Sequence, residues 1–200
     1  MRSSKSAPSP SGDAAVHGIK IRHSLADRLD DLYETPACAT CALLDVEDVP
    51  DMIWEPACGR GAISSILLMR GKRVFSTDLV NYGYGIAGVD FLMEHKPQNV
   101  GAIITNPPFK LADQFVRHAL VLCPKVIMLL RLTFLEGSRR TDILDDGRLA
   151  RVYVFRNRLP MMHRDGWEGK TSTSTTAYAW YCWDRSFCGS PTIHRITHKG

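Results

Sequence analysis

The sequence changes from a strand pattern to a helix pattern across residues 52–71, which read Met52-Ile-Trp-Glu-Pro-Ala-Cys-Gly-Arg-Gly-Ala-Ile-Ser-Ser-Ile-Leu-Leu-Met-Arg-Gly71. The apolar run Met52–Trp54 is typical of a short buried strand, and residues 62–70 are typical of a helix that ends at a glycine C-cap. Gly59 and Gly61 lie in the turn between them. Glycines in the first strand-to-helix turn of an open α/β sheet let a ligand approach the backbone. The stretch therefore predicts a ligand-binding turn, although a plain tight turn has the same pattern.

The same alternation continues along the chain. Residues 111–122 have the apolar spacing of a helix. The further strand-like runs are Arg73–Thr77, Ala102–Thr105, Val126–Leu130, Arg151–Phe155 and Ala177–Trp183. Strand, helix and strand at this spacing predict an α/β fold, with a mostly parallel sheet and helices on both faces. No helix pattern separates the last two runs, so we expect them to form an antiparallel pair at one edge of the sheet.

Length and composition exclude several classes of protein. The chain has 200 residues, of which 44% are hydrophobic and 23% charged, as in an ordinary globular domain. We expect residues 1–17 to form a disordered arm and residues 18–200 a single domain. No run approaches the roughly 18 consecutive apolar residues of a membrane span, and the N-terminus lacks the apolar core of a signal peptide, so we expect a cytoplasmic location. The six cysteines are irregularly spaced, which predicts free thiols and no metal site.

The charge of the chain is unevenly distributed. Residues 1–109 carry 10 basic and 13 acidic side chains, a net charge of −3, whereas residues 110–200 carry 15 basic and 8 acidic side chains, a net charge of +7. Such an excess is typical either of a surface that faces a polyanion such as nucleic acid or of a solubilising surface. Charge alone leaves both interpretations open.

Three acidic residues follow predicted strands. Glu55 ends the first strand, Asp78 follows the second, and Asp90 stands beside Phe91 at a third strand-to-loop junction. An acidic residue about twenty positions beyond a glycine turn is placed to accept hydrogen bonds from ribose hydroxyls. Asp90 and Phe91 offer an acceptor for an adenine amino group and an aromatic face for its ring. Each residue alone is equally typical of a solvated strand end, and their combination indicates a nucleoside site.

The string Asn106-Pro107-Pro108-Phe109 follows the run Ala102–Thr105 and is the most specific motif of the chain. The two prolines fix the backbone and remove two N–H donors, which leaves the side-chain oxygen of Asn106 and the neighbouring carbonyls as acceptors. Such acceptors suit a planar NH2 group, and Phe109 supplies a face on which a flat ring stacks. The alternative is a Pro-Pro loop that only ends a strand.

Taken in order, these motifs resemble the class I S-adenosyl-L-methionine-dependent amino-methyltransferases, specifically the adenine-N6 DNA methyltransferases. The resemblance covers about residues 30 to 135. The upstream string Tyr33-Glu34-Thr35-Pro36 resembles the segment that in many of these enzymes contacts the methionine end of the cofactor. The resemblance implies the Rossmann-like class I methyltransferase fold. It also implies a small enzyme without a separate target-recognition domain, of a kind found among phage and mobile-element proteins.

The resemblance further implies the roles of individual residues. It implies S-adenosyl-L-methionine as the cofactor and nucleic acid as the partner, with DNA favoured over RNA. The cofactor-binding residues that it implies are Tyr33, Thr35, Pro36, Glu55, Pro56, Gly59, Gly61, Asp78, Asp90 and Phe91. The catalytic residues that it implies, which hold the target base, are Asn106, Pro107, Pro108 and Phe109.

Other substrates stay open at this point. The same Asn-Pro-Pro-aromatic motif serves enzymes that methylate glutamine side-chain amides or the amino groups of RNA bases. Cytosine-N4 enzymes use a related motif, usually with Ser in place of Asn. A catalytically silent cofactor-binding subunit is a further alternative, although such a protein is expected to lose Asn106 or the glycines.

A basic loop lies between the last two predicted strands. Its candidate substrate-binding residues are Arg158, His163, Arg164, Trp167 and Lys170. The basic side chains suit phosphate groups, and Trp167 suits a base or a sugar. A structured loop that buries Trp167 explains the same sequence equally well.

Overall fold

A strand, a helix and a strand follow one another twice in the first part of the chain, as the sequence predicts. The computed structural model describes residues 33–145, 148–161 and 175–198, so the arm predicted for residues 1–17 lies outside the described residues. The elements are, in chain order, α1 (Ala37–Leu44), β1 (Met52–Glu55), α2 (Ala62–Met69), β2 (Arg73–Ser76), β3 (Ala102–Thr105), α3 (Ala112–Leu122), β4 (Lys125–Arg131), α4 (Thr141–Leu144), β5 (Leu149–Phe155), β6 (Tyr178–Asp184) and β7 (Thr192–Ile196). Among these helices, none is long and apolar enough to cross a membrane.

The seven strands form one sheet in the order β2-β1-β3-β4-β6-β5-β7. The first four are parallel to one another, and β6 runs antiparallel to both β4 and β5. The mostly parallel sheet and the antiparallel pairing of the last two predicted runs are therefore confirmed. The antiparallel strand β6 lies two places in from the edge, because β7 adds in parallel to the outer side of β5. The strand β7 was not predicted, because only one of its residues, Ile196, is buried and its sequence therefore has no apolar run.

Helices cover both faces of the sheet. Because side chains alternate along a strand, Ile103 faces α3 and α4, whereas Ala102 and Ile104 face α1 and α2. The strand β3 is buried along its whole length, which is why its sequence is continuously apolar rather than alternating. Covered on both sides, the central strands hold their carboxyl ends at fixed positions along one edge.

A buried ion-pair cluster joins the segment after α1 to the amino ends of the central strands. The carboxylate of Glu47, only 7% exposed, accepts hydrogen bonds from Arg151 Nε (2.7 Å) and Nη2 (2.9 Å) and from the hydroxyl of Tyr153. Lys125 Nζ lies 2.6 Å from Oε1 of Glu47. Burial raises the pKa of Glu47, but the hydrogen bonds from Arg151, Lys125 and Tyr153 outweigh that effect and hold it at about 2. The carboxylate is therefore stabilised in its charged form.

Replacing Glu47 by glutamine is expected to lower the free energy of unfolding by about 3 kcal/mol at pH 7, because Arg151 and Lys125 lose their shared anion. Since the pKa is lowered from 4.5, this stabilisation is complete above pH 4.5 and is lost as the pH falls towards 2. Urea unfolding at pH 7 and at pH 3 measures both effects, and the difference between variant and wild type is expected to narrow at pH 3. As a control, Asp51→Asn removes an exposed pair with Arg73 and is expected to cost under about 1 kcal/mol. Equal costs for the two variants would contradict the role of Glu47.

Candidate active site

The carboxyl ends of β1, β2 and β3 meet at one edge of the sheet, where a cleft opens. Its empty volume is about 810 Å³ when the part open to solvent is included. The predicted site residues that line it are Tyr33, Thr35, Glu55, Pro56, Gly59, Asp78, Asp90, Phe91, Asn106 and Pro108. Of the other predicted residues, Pro36, Gly61, Pro107 and Phe109 adjoin these in the chain and do not line the cleft. The structure thus brings the motifs together, while the roles of the individual residues stay predictions.

The glycine turn is held in place by an acidic side chain from the next strand. Gly59 has a φ of 52°, and its N–H donates a hydrogen bond of 2.8 Å to Asp78 Oδ2. The other oxygen of Asp78 accepts from the N–H of Val80 at 2.9 Å. Burial raises the pKa of Asp78, and these backbone donors oppose the rise. Asp78 therefore links the two loops that form the floor of the cleft, and its remaining lone pairs are available to a ligand.

Gly61 is required by packing rather than by the cleft. It adopts a left-handed φ of 82° at the start of α2. A Cβ at this position would lie 2.5 Å from the ring of Tyr84, so no larger residue fits without a shift of that ring. The sequence pattern indicates that Gly59 and Gly61 are both glycines so that a ligand can approach. In the structure, Gly61 is needed because the ring of Tyr84 leaves no room for a side chain.

Glu55 is the most deeply buried acidic group of the cleft, with 1% of its surface exposed. Its Oε2 accepts hydrogen bonds from the N–H of Ser64 (2.8 Å) and from the Ser64 hydroxyl. Burial raises the pKa of Glu55 to about 8, and the nearby Asp78 contributes to the rise. A cationic ligand in the cleft would favour the carboxylate form of Glu55.

Asp90 and Phe91 are both at the cleft, but they lie in the loop between β2 and β3 and not at the end of a third strand as the sequence predicts, and Phe91 offers little free surface. Asp90 Oδ1 accepts a hydrogen bond of 3.2 Å from the N–H of Leu92 and so caps a 3-10 turn at Phe91–Met93. Phe91 is 2% exposed and packs against Trp54 and Phe115, with ring centroids 5.1 and 4.8 Å away. The ring is therefore mainly a core residue.

The cleft has an apolar wall that the sequence analysis missed. Its members follow β2 or belong to the start of α3 and the turn before it, and they are Leu79, Val80, Val89, Leu111 and Phe115. The pair Leu79-Val80 directly after Asp78 is a signal that was present in the sequence, since apolar residues at a strand-end loop are candidates to contact a ligand ring. Glu34 and Arg60 also line the cleft and form an exposed ion pair of 3.9 Å at its rim.

The side chain of Asn106 lies just beyond β3 with its amide held in one orientation. Nδ2 donates a hydrogen bond of 3.0 Å to the backbone carbonyl oxygen of Tyr33. Oδ1 is buried and accepts no hydrogen bond from any described residue. An unpaired buried acceptor costs about 1–3 kcal/mol, and such groups in native proteins require an explanation. A donor on a bound substrate would satisfy Oδ1.

Phe109 belongs to a cluster of aromatic rings beside the cleft. Its ring centroid lies 5.0 Å from that of Tyr33 and 5.8 Å from that of Tyr178. The guanidinium carbon of Arg131 lies 4.4 Å from the Phe109 ring centroid. The predicted stacking residue is thus partly covered by a cation that the sequence analysis did not single out.

The basic loop is described only in part. Arg158 is exposed and follows the carboxyl end of β5. The other candidates of that loop, His163, Arg164, Trp167 and Lys170, lie outside the described residues. In the part of the chain that the structure covers, no three His, Cys, Asp or Glu side chains come together as metal ligands, and the six cysteines, all within it, are free.

No protein-family model and no curated protein matches the chain. Solved structures are similar to it in fold. A Pyrococcus horikoshii protein provisionally described as an RNA methyltransferase has a TM-score of 0.59 and 14% identity over 78% of this chain and 87% of its own. The modification subunit of a Vibrio vulnificus type I restriction enzyme, also provisionally described, has a TM-score of 0.56 and 13% identity over 82% of this chain and 47% of its own. A Lactococcus lactis protein provisionally described as a hemolysin has a TM-score of 0.55 and 10% identity over 80% of this chain and 91% of its own.

At these identities the likeness concerns the fold alone. The chain has the Rossmann-like fold of the class I methyltransferases.

Proposed function

We propose that the chain is an S-adenosyl-L-methionine-dependent methyltransferase that modifies an exocyclic amino group, specifically N6 of adenine in DNA. The observation that carries the proposal is the buried, unpaired Oδ1 of Asn106 in the cleft. One N–H of Nδ2 donates to the carbonyl oxygen of Tyr33, which fixes the orientation of the amide and leaves Oδ1 as an acceptor without a described donor. An amino group is the kind of donor that satisfies it.

The cleft residues fit the proposed cofactor. Glu55, Asp78 and Asp90 bring three carboxyl groups to one cleft, which favours a ligand with positive charge and hydroxyl donors. Leu79 and Val80 add apolar surface next to Asp78, which suits a purine ring. S-adenosyl-L-methionine, when bound, supplies a methyl group activated by a positively charged sulfur.

The task of the protein is to hold the amine in line with that methyl group. Asn106 Oδ1 accepts one amino hydrogen and the carbonyl oxygen of Pro107 accepts the other, which directs the nitrogen lone pair away from both. The two acceptors would favour the positive charge that develops on the amino nitrogen as it takes the methyl group and the methyl–sulfur bond breaks. Fixing the partners in this alignment removes the entropic part of the barrier. The extra proton then leaves to solvent, so no strong general base is required.

Charge and the fold relatives favour nucleic acid over protein as the substrate. Residues 110–200 carry a net charge of +7; Arg131 is exposed at the carboxyl end of β4, and Arg158 is exposed just beyond the carboxyl end of β5. Two of the similar structures are described as an RNA methyltransferase and as the modification subunit of a restriction enzyme. An amino group on a base, rather than a glutamine amide, is therefore the proposed acceptor of the methyl group.

Transfer of a labelled methyl group by the purified protein tests the proposal. Labelled S-adenosyl-L-methionine is offered with DNA from a host without adenine methylation, with RNA from that host, and with a glutamine-containing peptide, in separate reactions. The expected product is labelled N6-methyl-2′-deoxyadenosine. Label in RNA alone would show that the substrate is RNA and not DNA. Label in the peptide alone would overturn the proposal that the substrate is a nucleic acid. Cofactor binding without transfer to any of the three would favour the silent-subunit alternative.

A further inference from the structure

Arg131 stands out among the cations at the carboxyl-end edge of the sheet. It is the last residue of β4, and its backbone is fixed by pairing with Tyr178 of β6 and by a hydrogen bond of 3.2 Å from the Tyr181 hydroxyl to its carbonyl oxygen. Its side chain is exposed, and no described carboxylate lies within 4 Å of it. The guanidinium instead lies against the ring of Phe109. A rigid backbone therefore presents a cation without a described anionic partner beside the catalytic motif.

The position of this guanidinium conflicts with the role that the sequence predicts for Phe109. A flat base that stacks on Phe109 needs a free ring face, and Tyr33 and Tyr178 already border the ring at 5.0 and 5.8 Å. The guanidinium of Arg131 covers one face of the ring, so a base that stacks on that face has to displace it. A cation–π contact at an exposed site is weak. Stacking of a base together with a charge-assisted contact to phosphate is stronger, so the guanidinium is displaced without net cost.

We propose, resting on the proposed function, that Arg131 is a substrate-binding residue that leaves the ring of Phe109 when the target adenine enters and binds the phosphate of that nucleotide. The planar guanidinium suits both positions, since it stacks on an aromatic face and also forms paired hydrogen bonds with phosphate oxygens. In the absence of DNA, Arg131 covers the apolar face of Phe109. In its presence, Arg131 holds the flipped nucleotide by its backbone.

Steady-state kinetics of Arg131→Met and Arg131→Lys over a series of salt concentrations test this proposal. The substrate is sheared DNA from a host without adenine methylation. Arg131→Met keeps an apolar stem over Phe109 and removes the charge. It is expected to raise KM for DNA about tenfold, to change kcat less than about threefold, and to reduce the slope of log KM against log salt by about one. Arg131→Lys is expected to restore the slope and part of the KM.

A matched control is Arg73→Met, since Arg73 begins β2 at the opposite edge of the sheet and pairs with Asp51 at 2.8 Å. It is expected to leave both KM and the salt slope unchanged. If the slope of log KM against log salt in Arg131→Met equals that of the wild type, the phosphate contact is overturned, even if KM itself rises. The reason is that a residue that only stacks or packs releases no counterions when DNA binds. Failure of the wild-type protein to methylate DNA would instead overturn the proposed function, so the two outcomes are distinguishable.

Discussion

Asn106→Ala is expected to lower the rate of methyl transfer at saturating cofactor by about 10² to 10³-fold, the usual loss for one acceptor or donor that stabilises developing charge. The dissociation constant for S-adenosyl-L-methionine is expected to stay within about threefold of wild type, because the proposed partner of Asn106 is the amine of the substrate and not the cofactor. The variant removes Oδ1, the buried acceptor that has no described hydrogen-bond partner, and it leaves the carboxyl groups of the cleft unchanged. Single-turnover transfer and calorimetric binding measure the two quantities separately.

The matched variant is Asn106→Asp. Aspartate keeps acceptor oxygens at this position but loses the Nδ2 hydrogen bond to the carbonyl oxygen of Tyr33. We expect it to retain more activity than the alanine variant and less than wild type. Equal losses of cofactor binding and of transfer in Asn106→Ala would show that Asn106 holds the cofactor or the fold of the cleft, not the amine.

Asp78→Ala is expected to weaken cofactor binding by about 10- to 150-fold, since a hydrogen bond to a charged group contributes about 1.5–3 kcal/mol. The variant removes the proposed acceptor of the ribose hydroxyls. It also leaves the N–H groups of Gly59 and Val80 without the oxygens that they now contact at 2.8 and 2.9 Å. Calorimetric titration with S-adenosyl-L-methionine measures the effect.

Two controls separate a loss of ligand contacts from a loss of structure in this prediction. Thermal unfolding of Asp78→Ala shows whether the glycine turn is still held, and the exposed Asp51→Asn reports the effect of removing a carboxylate far from the cleft. Unchanged affinity in Asp78→Ala would remove Asp78 from the cofactor site. A lower melting temperature with unchanged affinity would limit its role to the turn.

Much of the fold follows from local pattern. The parallel core was predictable because β3 and the middle five residues of β4 form continuous apolar runs, and such runs between helical segments require cover on both faces. The common cleft followed from one rule, that parallel strands end at the same edge, so residues after β1, β2 and β3 meet there. The strand β7 could not be predicted in this way, because Ile196 is its only buried residue.

Contacts between distant parts of the chain could not be predicted from the sequence. The carbonyl of Tyr33 binds Asn106 across 73 residues, and Glu47 binds Arg151 across 104 residues. Neither contact has a periodicity or a spacing that marks it. Likewise, the sequence pattern predicted that Gly61 and Phe109 are open to a ligand. In the fold the ring of Tyr84 lies against Gly61, and the guanidinium of Arg131 lies over the ring of Phe109.

The central claim, methylation of adenine N6 in DNA through Asn106, is tested most directly by mass spectrometry of nucleosides. DNA and RNA are digested from a methylation-deficient bacterial host that expresses either the wild-type protein or Asn106→Ala at equal levels. We predict N6-methyladenine in the DNA of the first host and none above background in the second. Unmodified DNA and RNA in the presence of folded, cofactor-binding wild-type protein would contradict the claim.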